Sequence, residues 1–280
     1  MKTLKVLSRE LSMNVIRWVG SKRHSAIRIV EKFNTLPELP KRYFEPMCGG
    51  MSVAILYDHP NTFVNDINYD LINLYHVLCD DDARAEMLEL YCKFENNKEF
   101  YYQLRSTFNN MDRSFDVDNH LSVPAAAMFY YLVNFGFRGL SRYNRKGLIN
   151  TSFGNVVSSP KDYLILQRPN LDSVINKIKK WVITCENYET ATLDCGEGDL
   201  IYIDPPYGNC IPYINTFEDS DVSMLVARIN KWSNKGAHVA LSYDKPDIGE
   251  FLSKDFTMEE VKSKYCFSNK FVTEYLFTNF

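Results

Sequence analysis

The sequence feature that most limits the fold is a short apolar run that ends in two prolines. Residues 199–203 are predicted to form a buried β-strand, and Asp204-Pro205-Pro206-Tyr207 follows it directly. Two consecutive prolines fix φ and remove two backbone donors, so the carbonyls of Asp204 and Pro205 are held stiffly beside a carboxylate and an aromatic ring. Open α/β sheets bind ligands at the carboxyl ends of their strands. The alternative interpretation is a rigid Asp-Pro-Pro turn without a ligand.

The alternation of strands and helices along the chain predicts a doubly wound α/β fold. Short strands end near Phe44 and Val64, and helices begin near Ser52 and Leu71. Strands are predicted again at 181–185, 199–203, 238–242 and 271–277, with a helix at 222–231. Helical segments at 80–108, 123–134 and 171–180 interrupt the pattern. We therefore expect an insert at 81–180 between a first part at 1–80 and a second part at 181–280.

A basic stretch punctuated by glycines follows the helix at 123–134 and is typical of a loop or a β-hairpin arm. It contains four basic residues without an acid among them: Arg138, Arg142, Arg145 and Lys146. A second basic stretch at 17–28 includes Lys22 and Arg23. The net charge of −3 argues against a protein that coats nucleic acid, but it leaves room for local basic faces.

A second ligand signal lies between the first strand and its helix. Glu45-Pro46-Met47-Cys48-Gly49-Gly50 forms a turn whose glycines let the backbone approach a ligand beside a helix N-terminus. Asp66 follows the next strand, at the position where acidic side chains bind ribose hydroxyls in nucleotide sites. Together these features predict an adenosyl ligand, and the alternative role for Asp66 is a helix N-cap.

Composition excludes several classes of protein. Hydrophobic residues make up 45% and charged residues 24%, which excludes wholesale disorder, collagen-like repeats and coiled coils. No apolar run reaches the ~18 residues of a membrane span and no secretory signal is apparent, so we expect a cytoplasmic protein. The seven cysteines form no CxxC pair and the five histidines no HxxxH pattern, which indicates free thiols and no metal site.

The sequence resembles the Dam-type DNA adenine-N6 methyltransferases (D12 class, alpha group). Four blocks match that family in order: Arg17 to Lys22, the Glu45-to-Gly50 turn with Asn65-Asp66-Ile67, Arg138 to Gly147 with Phe153-Gly154, and Cys185 to Tyr188 followed by Asp204 to Tyr207. The resemblance implies a Rossmann-like S-adenosylmethionine-dependent methyltransferase sheet. It also implies that the insert is a target-recognition domain of helices and a β-hairpin that binds duplex DNA. The parts at 1–80 and 181–280 would form the catalytic domain, and neither a membrane nor an obligate protein partner is implied.

The resemblance also implies roles for individual residues. The catalytic residues, which would hold an extruded adenine, are Asp204, Pro205, Pro206 and Tyr207. The cofactor pocket would be lined by Trp18, Lys22, Glu45, Pro46, Cys48, Gly49, Gly50, Asp66, Tyr188 and Asp204. DNA would be contacted by Arg23, Arg138, Leu140, Arg142, Asn144, Arg145 and Lys146.

Base flipping followed by in-line displacement would need no Ser, Cys or His nucleophile. Arg142 is expected to read a guanine, because arginine suits the O6 and N7 acceptors in the major groove. The family expectation is GATC or a close relative. Arg138 and the Thr151-Ser152 pair depart from the family pattern, so the recognition sequence stays open. The arm's aromatic residues either pack the hairpin or insert into the duplex: Phe135, Phe137 and Tyr143.

Two other functions compete with DNA methylation. One is an amino-methyltransferase that acts on RNA or on a protein side-chain amide, and Asp204 together with the basic arm favours DNA over it. The other is a non-catalytic DNA-binding relative, against which the intact Asp66, Asp204 and Tyr207 argue.

Overall fold

The computed structural model describes residues 15–112, 121–154, 156, 158–167, 170–206, 219–264 and 271–280. Within these ranges one sheet contains seven strands: β1 (Tyr43–Glu45), β2 (Thr62–Asn65), β3 (Val182–Thr184), β4 (Leu200–Ile203), β5 (His238–Tyr243), β6 (Thr257–Lys264) and β7 (Phe271–Thr278). Their order in the sheet is β3-β2-β1-β4-β5-β7-β6. β1 to β5 pair in parallel, and β7 pairs antiparallel with both β5 and β6.

The strand register aligns the carboxyl ends of the central strands. Tyr43 of β1 pairs with Thr62 of β2 on one side and with Leu200 of β4 on the other. The strand order reverses between β1 and β4, and such a reversal opens a crevice at the carboxyl edge in which α/β sheets bind ligands. β4 is buried along its whole length, as its unbroken Leu-Ile-Tyr-Ile run predicts for a central parallel strand.

The helices of the described residues connect and cover these strands. They are α1 (Ala26–Phe33), α2 (Ser52–Tyr57), α3 (Tyr69–Cys79), α4 (Asp81–Cys92), α5 (Lys98–Asn110), α6 (Val123–Phe135), α7 (Pro160–Gln167), α8 (Leu171–Ile178), α9 (Tyr188–Ala191) and α10 (Asp219–Asn234). Two short 3₁₀ helices cover Phe137–Gly139 and Pro246–Phe251. Side-chain caps start α3, α4 and α5, where Asn68, Asp80 and Asn97 each accept a backbone N–H from three residues further on.

The predicted α/β class and its main elements are confirmed. The segment at 80–108 is two helices rather than one, because Asn97 caps a new helix after α4 has ended at Cys92. Sequence analysis missed α1, α7 and β6. β6 is a charged strand at the edge of the sheet, and its pattern of apolar residues is correspondingly weak.

Helix α6 forms the centre of the region between β2 and β3. Its sequence is apolar on all sides, and nearly every residue is buried. It packs against α3, α4 and α5, and one continuous apolar core joins it to the sheet. The division at residues 80 and 180 stays a prediction.

Candidate active site

Polar side chains collect at the carboxyl edge where β1, β2 and β4 end. Glu45 is the last residue of β1, Asp66 follows β2, and Asp204 follows β4. The parallel register of these three strands places their ends at the same edge of the sheet. The fold therefore brings these three acids to one edge of the sheet.

The turn after β1 is built around Gly49, which has a φ of +45°. A Cβ added to Gly49 would lie 2.7 Å from Cδ1 of Trp18, so only glycine lets this backbone lie against the indole. Gly50 is similarly close, because its added Cβ would be 3.1 Å from the Cβ of Trp18. The Tyr75 hydroxyl donates to the Gly49 carbonyl at 2.5 Å. Trp18 thus packs on the turn that contains Gly49 and Gly50, and these three predicted residues are called the cradle below.

Asp66 fixes the cradle from the end of β2. Its Oδ2 accepts the Gly49 N–H at 2.9 Å, and its Oδ1 accepts the Asn68 N–H at 2.9 Å. Burial raises the pKa of the Asp66 carboxyl, and the N–H donors oppose that rise. The N-cap of α3 is Asn68 rather than Asp66. The alternative role of Asp66 as a helix cap is therefore not the one observed.

Glu45 points into the core, because its side chain is only 3% exposed. Its Oε2 accepts the Tyr43 hydroxyl at 2.8 Å and the Ala54 N–H at 2.9 Å. Burial raises the pKa of the Glu45 carboxyl to about 8, against the lowering effect of the Tyr43 hydrogen bond. This carboxyl joins β1 to α2, and its direct contact with a cofactor stays a prediction.

Lys22 contacts Asp204 directly. Its Nζ lies 2.8 Å from Asp204 Oδ1 and 3.5 Å from Glu274 Oε1, and its side chain is only 4% exposed. Burial alone would lower the pKa of the Lys22 ammonium, but the charges and hydrogen bonds of the two carboxylates outweigh it and the net pKa is raised. Burial raises the pKa of Glu274, and Lys22 opposes that rise. Lys22, predicted as a cofactor residue, is thus placed to orient the carboxylate of the Asp-Pro-Pro motif.

Two residues of this edge were missing from the predicted site list. Glu274 lies in β7, and the signal for it was a single acid within the apolar run Phe-Val-Thr-Glu-Tyr-Leu-Phe. Asn65 is the buried last residue of β2. Its Nδ2 donates to the carbonyls of Pro46 and Glu186, at 3.0 and 2.9 Å, so one amide joins the loops that follow β1 and β3.

The remaining predicted residues of this edge are placed as follows. Cys48 is buried directly before Gly49 of the cradle, and its N–H donates to the Asn65 carbonyl at 2.8 Å. Tyr188 begins α9 and is half-buried, and burial raises the pKa of its phenol to about 12. Pro205 is buried and Pro206 half-buried directly after Asp204. Tyr207 lies outside the described residues.

The basic arm forms a compact loop rather than two paired strands. Isolated antiparallel bridges join Gly136 to Phe153 and Tyr143 to Ile149. Helix α5 holds the returning half of the loop: Arg105 Nη1 donates to the Thr151 carbonyl at 2.7 Å, and Asn109 exchanges two hydrogen bonds with the Ile149 backbone. The hydroxyl of Thr151 then donates to the Leu140 carbonyl, which ties the two halves together.

Most predicted DNA residues lie on the exposed side of this arm. The exposed ones are Arg138, Arg142, Arg145 and Lys146, and Arg23, outside the arm, is exposed as well. Arg142 Nε donates to Asn150 Oδ1 at 2.7 Å, while Leu140 and Asn144 are half-buried. Asn144 Oδ1 accepts the N–H groups of Lys146 and Leu148, so its side chain shapes the turn.

The arm's three aromatic residues separate into two groups. Phe135 and Tyr143 are fully buried, which matches the packing interpretation, whereas Phe137 is 48% exposed. Nowhere in the described ranges do three or more His, Cys, Asp or Glu side chains come together in a way that could hold a metal ion. Across the same ranges, every helix falls short of the length and apolarity that crossing a bilayer requires.

Known proteins match this chain over most of its length. A family model described as D12 class N6 adenine-specific DNA methyltransferase matches residues 18–267. The type II methyltransferase M1.LlaDCHI of Lactococcus lactis is 29% identical over 88% of this chain and 86% of its own length. The type II methyltransferase M.MjaIII of Methanocaldococcus jannaschii is 30% identical over 89% of this chain and 90% of its own length. A DNA adenine methylase of Vibrio cholerae is 32% identical over 69% of this chain and 64% of its own length.

Proposed function

The chain belongs to the D12 class N6 adenine-specific DNA methyltransferases, and from this premise we propose that it methylates adenine N6 in a short duplex sequence, GATC or a close relative. The methyl donor is S-adenosylmethionine. The observation that carries the proposal is the Asp204 carboxylate, which lies at the end of the central strand β4 and is paired with the buried Lys22. Relatives named as DNA adenine methylases support the same acceptor base.

The cradle fits the adenosyl cofactor that the family implies. Gly49, at a positive φ, lets the turn pack closely on Trp18 at the carboxyl edge, and Asp66 supplies a carboxylate that suits ribose hydroxyls. When bound, S-adenosylmethionine supplies an electrophilic methyl group on a positively charged sulfur. The residues that would hold it are the cradle, Asp66 and Tyr188. Lys22, also predicted to line the pocket, would act on it through its contact with Asp204.

Asp204 and Pro205 would receive the adenine. A duplex hides the amino group, so the base must leave the stack at a cost of a few kcal/mol. The Asp204 carboxylate and the Pro205 carbonyl would accept the two N6–H groups and favour a more tetrahedral nitrogen, whose lone pair would attack the methyl carbon in line. The carbon–sulfur bond would break as the nitrogen–carbon bond forms, S-adenosylhomocysteine would leave, and the cationic nitrogen would then lose one proton to Asp204 or to solvent. Lys22 holds Asp204 Oδ1 in place beforehand, so no reorganisation is needed as positive charge develops on N6. Tyr207 would stack on the base.

The exposed arm would read the DNA sequence. Arg142 projects from the arm with its Nε fixed by Asn150, and a guanidinium held in this way suits the paired acceptors of guanine. Arg23, Arg145 and Lys146 would contact phosphates, which position the protein without reading sequence. The exposed Phe137 would insert into the duplex, whereas Phe135 and Tyr143 stay in the core.

The experiment that tests this proposal supplies tritiated S-adenosylmethionine and a randomised duplex, followed by methylation-sensitive sequencing. We expect label at adenine N6 within one short motif. No label in the duplex, from protein that binds S-adenosylhomocysteine, would overturn the proposal, and a motif other than GATC or a near relative would overturn the sequence assignment alone.

The matched variants are Asp204→Ala and Asp194→Ala. Asp194 is 72% exposed and pairs with Arg42. We expect Asp204→Ala to abolish methyl transfer while duplex binding is retained, and Asp194→Ala to keep both. Near-normal turnover in Asp204→Ala would refute the assigned mechanism.

A further inference from the structure

The arm and the cofactor cradle meet in a buried group of hydrogen bonds. Tyr143 of the arm is 0% exposed, and its hydroxyl donates to Asp70 Oδ2 at 2.9 Å. The same hydroxyl accepts from Asn68 Nδ2 at 3.3 Å. Asp70 and Asn68 are themselves buried at the start of α3. A hydrogen bond from a buried hydroxyl to a carboxylate is among the stronger ones in proteins, so this contact fixes where the arm sits.

Asn68 continues this group of hydrogen bonds to the cradle. Its backbone N–H donates to Asp66 Oδ1, and Asp66 Oδ2 accepts the Gly49 N–H. Tyr143 is therefore connected to the proposed ribose-binding carboxylate through one intervening residue. A change in the position of Asp66 would move Asn68, and with it one partner of the Tyr143 hydroxyl.

A second contact joins the arm to the same region. Gly139 has a φ of +69°, and a Cβ added there would lie 2.7 Å from Cδ of Arg17. The next residue, Trp18, packs on Gly49 of the cradle. The contacts made by Arg17 and by Tyr143 therefore both link the cradle to the part of the arm that carries Arg142.

We propose that Tyr143 is a positioning residue that couples occupancy of the cofactor cradle to DNA recognition by the arm. The inference rests on the proposed function, because it needs S-adenosylmethionine at the cradle and duplex DNA at the arm. A cofactor that fixes Asp66 stabilises one placement of Asn68 and hence of Tyr143, so the arm is held ready for DNA. Such coupling is reciprocal: bound DNA must tighten cofactor binding by the same factor.

The experiment measures duplex affinity with and without saturating S-adenosylhomocysteine, the demethylated product, on the wild type and three variants. The duplex contains the motif found by sequencing. Tyr143→Phe removes only the hydroxyl. The control is Tyr131→Phe, which removes a buried hydroxyl of α6 that donates to the Glu95 carbonyl instead. Asp70→Asn keeps an oxygen acceptor for Tyr143 and is the conservative variant.

For the wild type and Tyr131→Phe, we expect the product to tighten duplex binding by about 5–150-fold, the usual range of such coupling. In Tyr143→Phe the factor should fall to within about twofold of 1, while the affinity for the product alone stays within about threefold of wild type. Asp70→Asn should keep most of the coupling. Thermal unfolding of each variant confirms that it is folded at the assay temperature.

Three results would overturn the inference: equal coupling in Tyr143→Phe and wild type, an equal loss in Tyr131→Phe, or a wild type without coupling. Failure of the proposed function looks different. In that case the wild type binds no product, binds no duplex or transfers no methyl group, whatever residue occupies position 143.

Discussion

Replacing Glu45 with glutamine should make the stability of the protein less dependent on pH. The Glu45 carboxyl is 3% exposed, and burial raises its pKa to about 8 from 4.5. Glutamine has the size and shape of the protonated side chain. It also keeps one carbonyl oxygen to accept the Tyr43 hydroxyl and the Ala54 N–H. The variant therefore removes the titration and keeps most of the packing.

The sign of this pH dependence follows from the direction in which the pKa of Glu45 is shifted. Because the folded pKa exceeds the unfolded one, the contribution of Glu45 to stability is full below the unfolded value and is lost as pH rises through the folded value. The window runs from 4.5 to about 8. At 1.36 kcal/mol per pKa unit, these two values give a loss of about 3 kcal/mol between about pH 5.5 and about pH 8.5.

The assay is urea unfolding of wild type and Glu45→Gln at several pH values across this window. Subtracting the two curves cancels the groups that both proteins share. We expect Glu45→Gln to gain about 3 kcal/mol relative to wild type from the acidic to the basic end. Parallel curves would refute the reasoning, because Glu45 would then have an ordinary pKa.

The same variant tests the predicted cofactor role of the side chain. Glu45 points into the core, so we expect the dissociation constant for S-adenosylhomocysteine to change by less than about threefold, equivalent to under about 1 kcal/mol. A loss of tenfold or more would show that the carboxyl contacts the cofactor directly.

Two further predictions concern Lys22 and Arg142. Lys22→Met should cost about 3–5 kcal/mol of folding stability, because it leaves Asp204 without its buried partner, whereas Glu274→Gln should cost far less, since its contact is 3.5 Å rather than 2.8 Å. Urea unfolding measures the stability of both variants, and equal losses of unfolding free energy would contradict the prediction that Lys22→Met is the more damaging. Arg142→Ala should relax discrimination at one guanine by about 1–3 kcal/mol, measured as methylation rates across a duplex library. An equal loss on every sequence would reassign Arg142 to a phosphate contact.

The central strands were predictable because their signals are local. Leu-Ile-Tyr-Ile is an unbroken apolar run that prolines end, and the structure places β4 on those residues. β6 and α1 were missed for different reasons. β6 is a charged edge strand that pairs only with β7 among the described strands, so tertiary packing stabilises it and a local pattern does not reveal it. The apolar residues of α1 do recur at helical spacing, at Ala26, Ile29, Val30 and Phe33, but no acid in its first turn and no side-chain cap hydrogen bond mark where it begins.

The candidate site was predictable as a set of positions but not as a set of contacts. Asp66 and Asp204 could be placed at strand ends from the alternation alone. That Lys22 would pair with Asp204, or that Glu274 would join them, depends on β7 lying beside β5 in the sheet. The distance between Lys22 and Glu274 along the chain gave no hint of this contact. The sequence also did not reveal that the Asn144 side-chain oxygen accepts a backbone N–H and so shapes the turn of the arm.

The three acids at the carboxyl edge show why position alone does not decide chemistry. Glu45 accepts from a phenol and one backbone N–H inside the core, and its pKa rises to about 8. Asp66 accepts two backbone N–H groups at the cradle, and Asp204 is paired with an ammonium. The partners therefore differ in charge from neutral to fully positive across one edge of the sheet. Of the three, Asp204 contacts an ammonium, which fixes the direction of its oxygens before a base arrives. We therefore expect the Asp204 carboxylate, rather than Glu45 or Asp66, to accept from the adenine amino group.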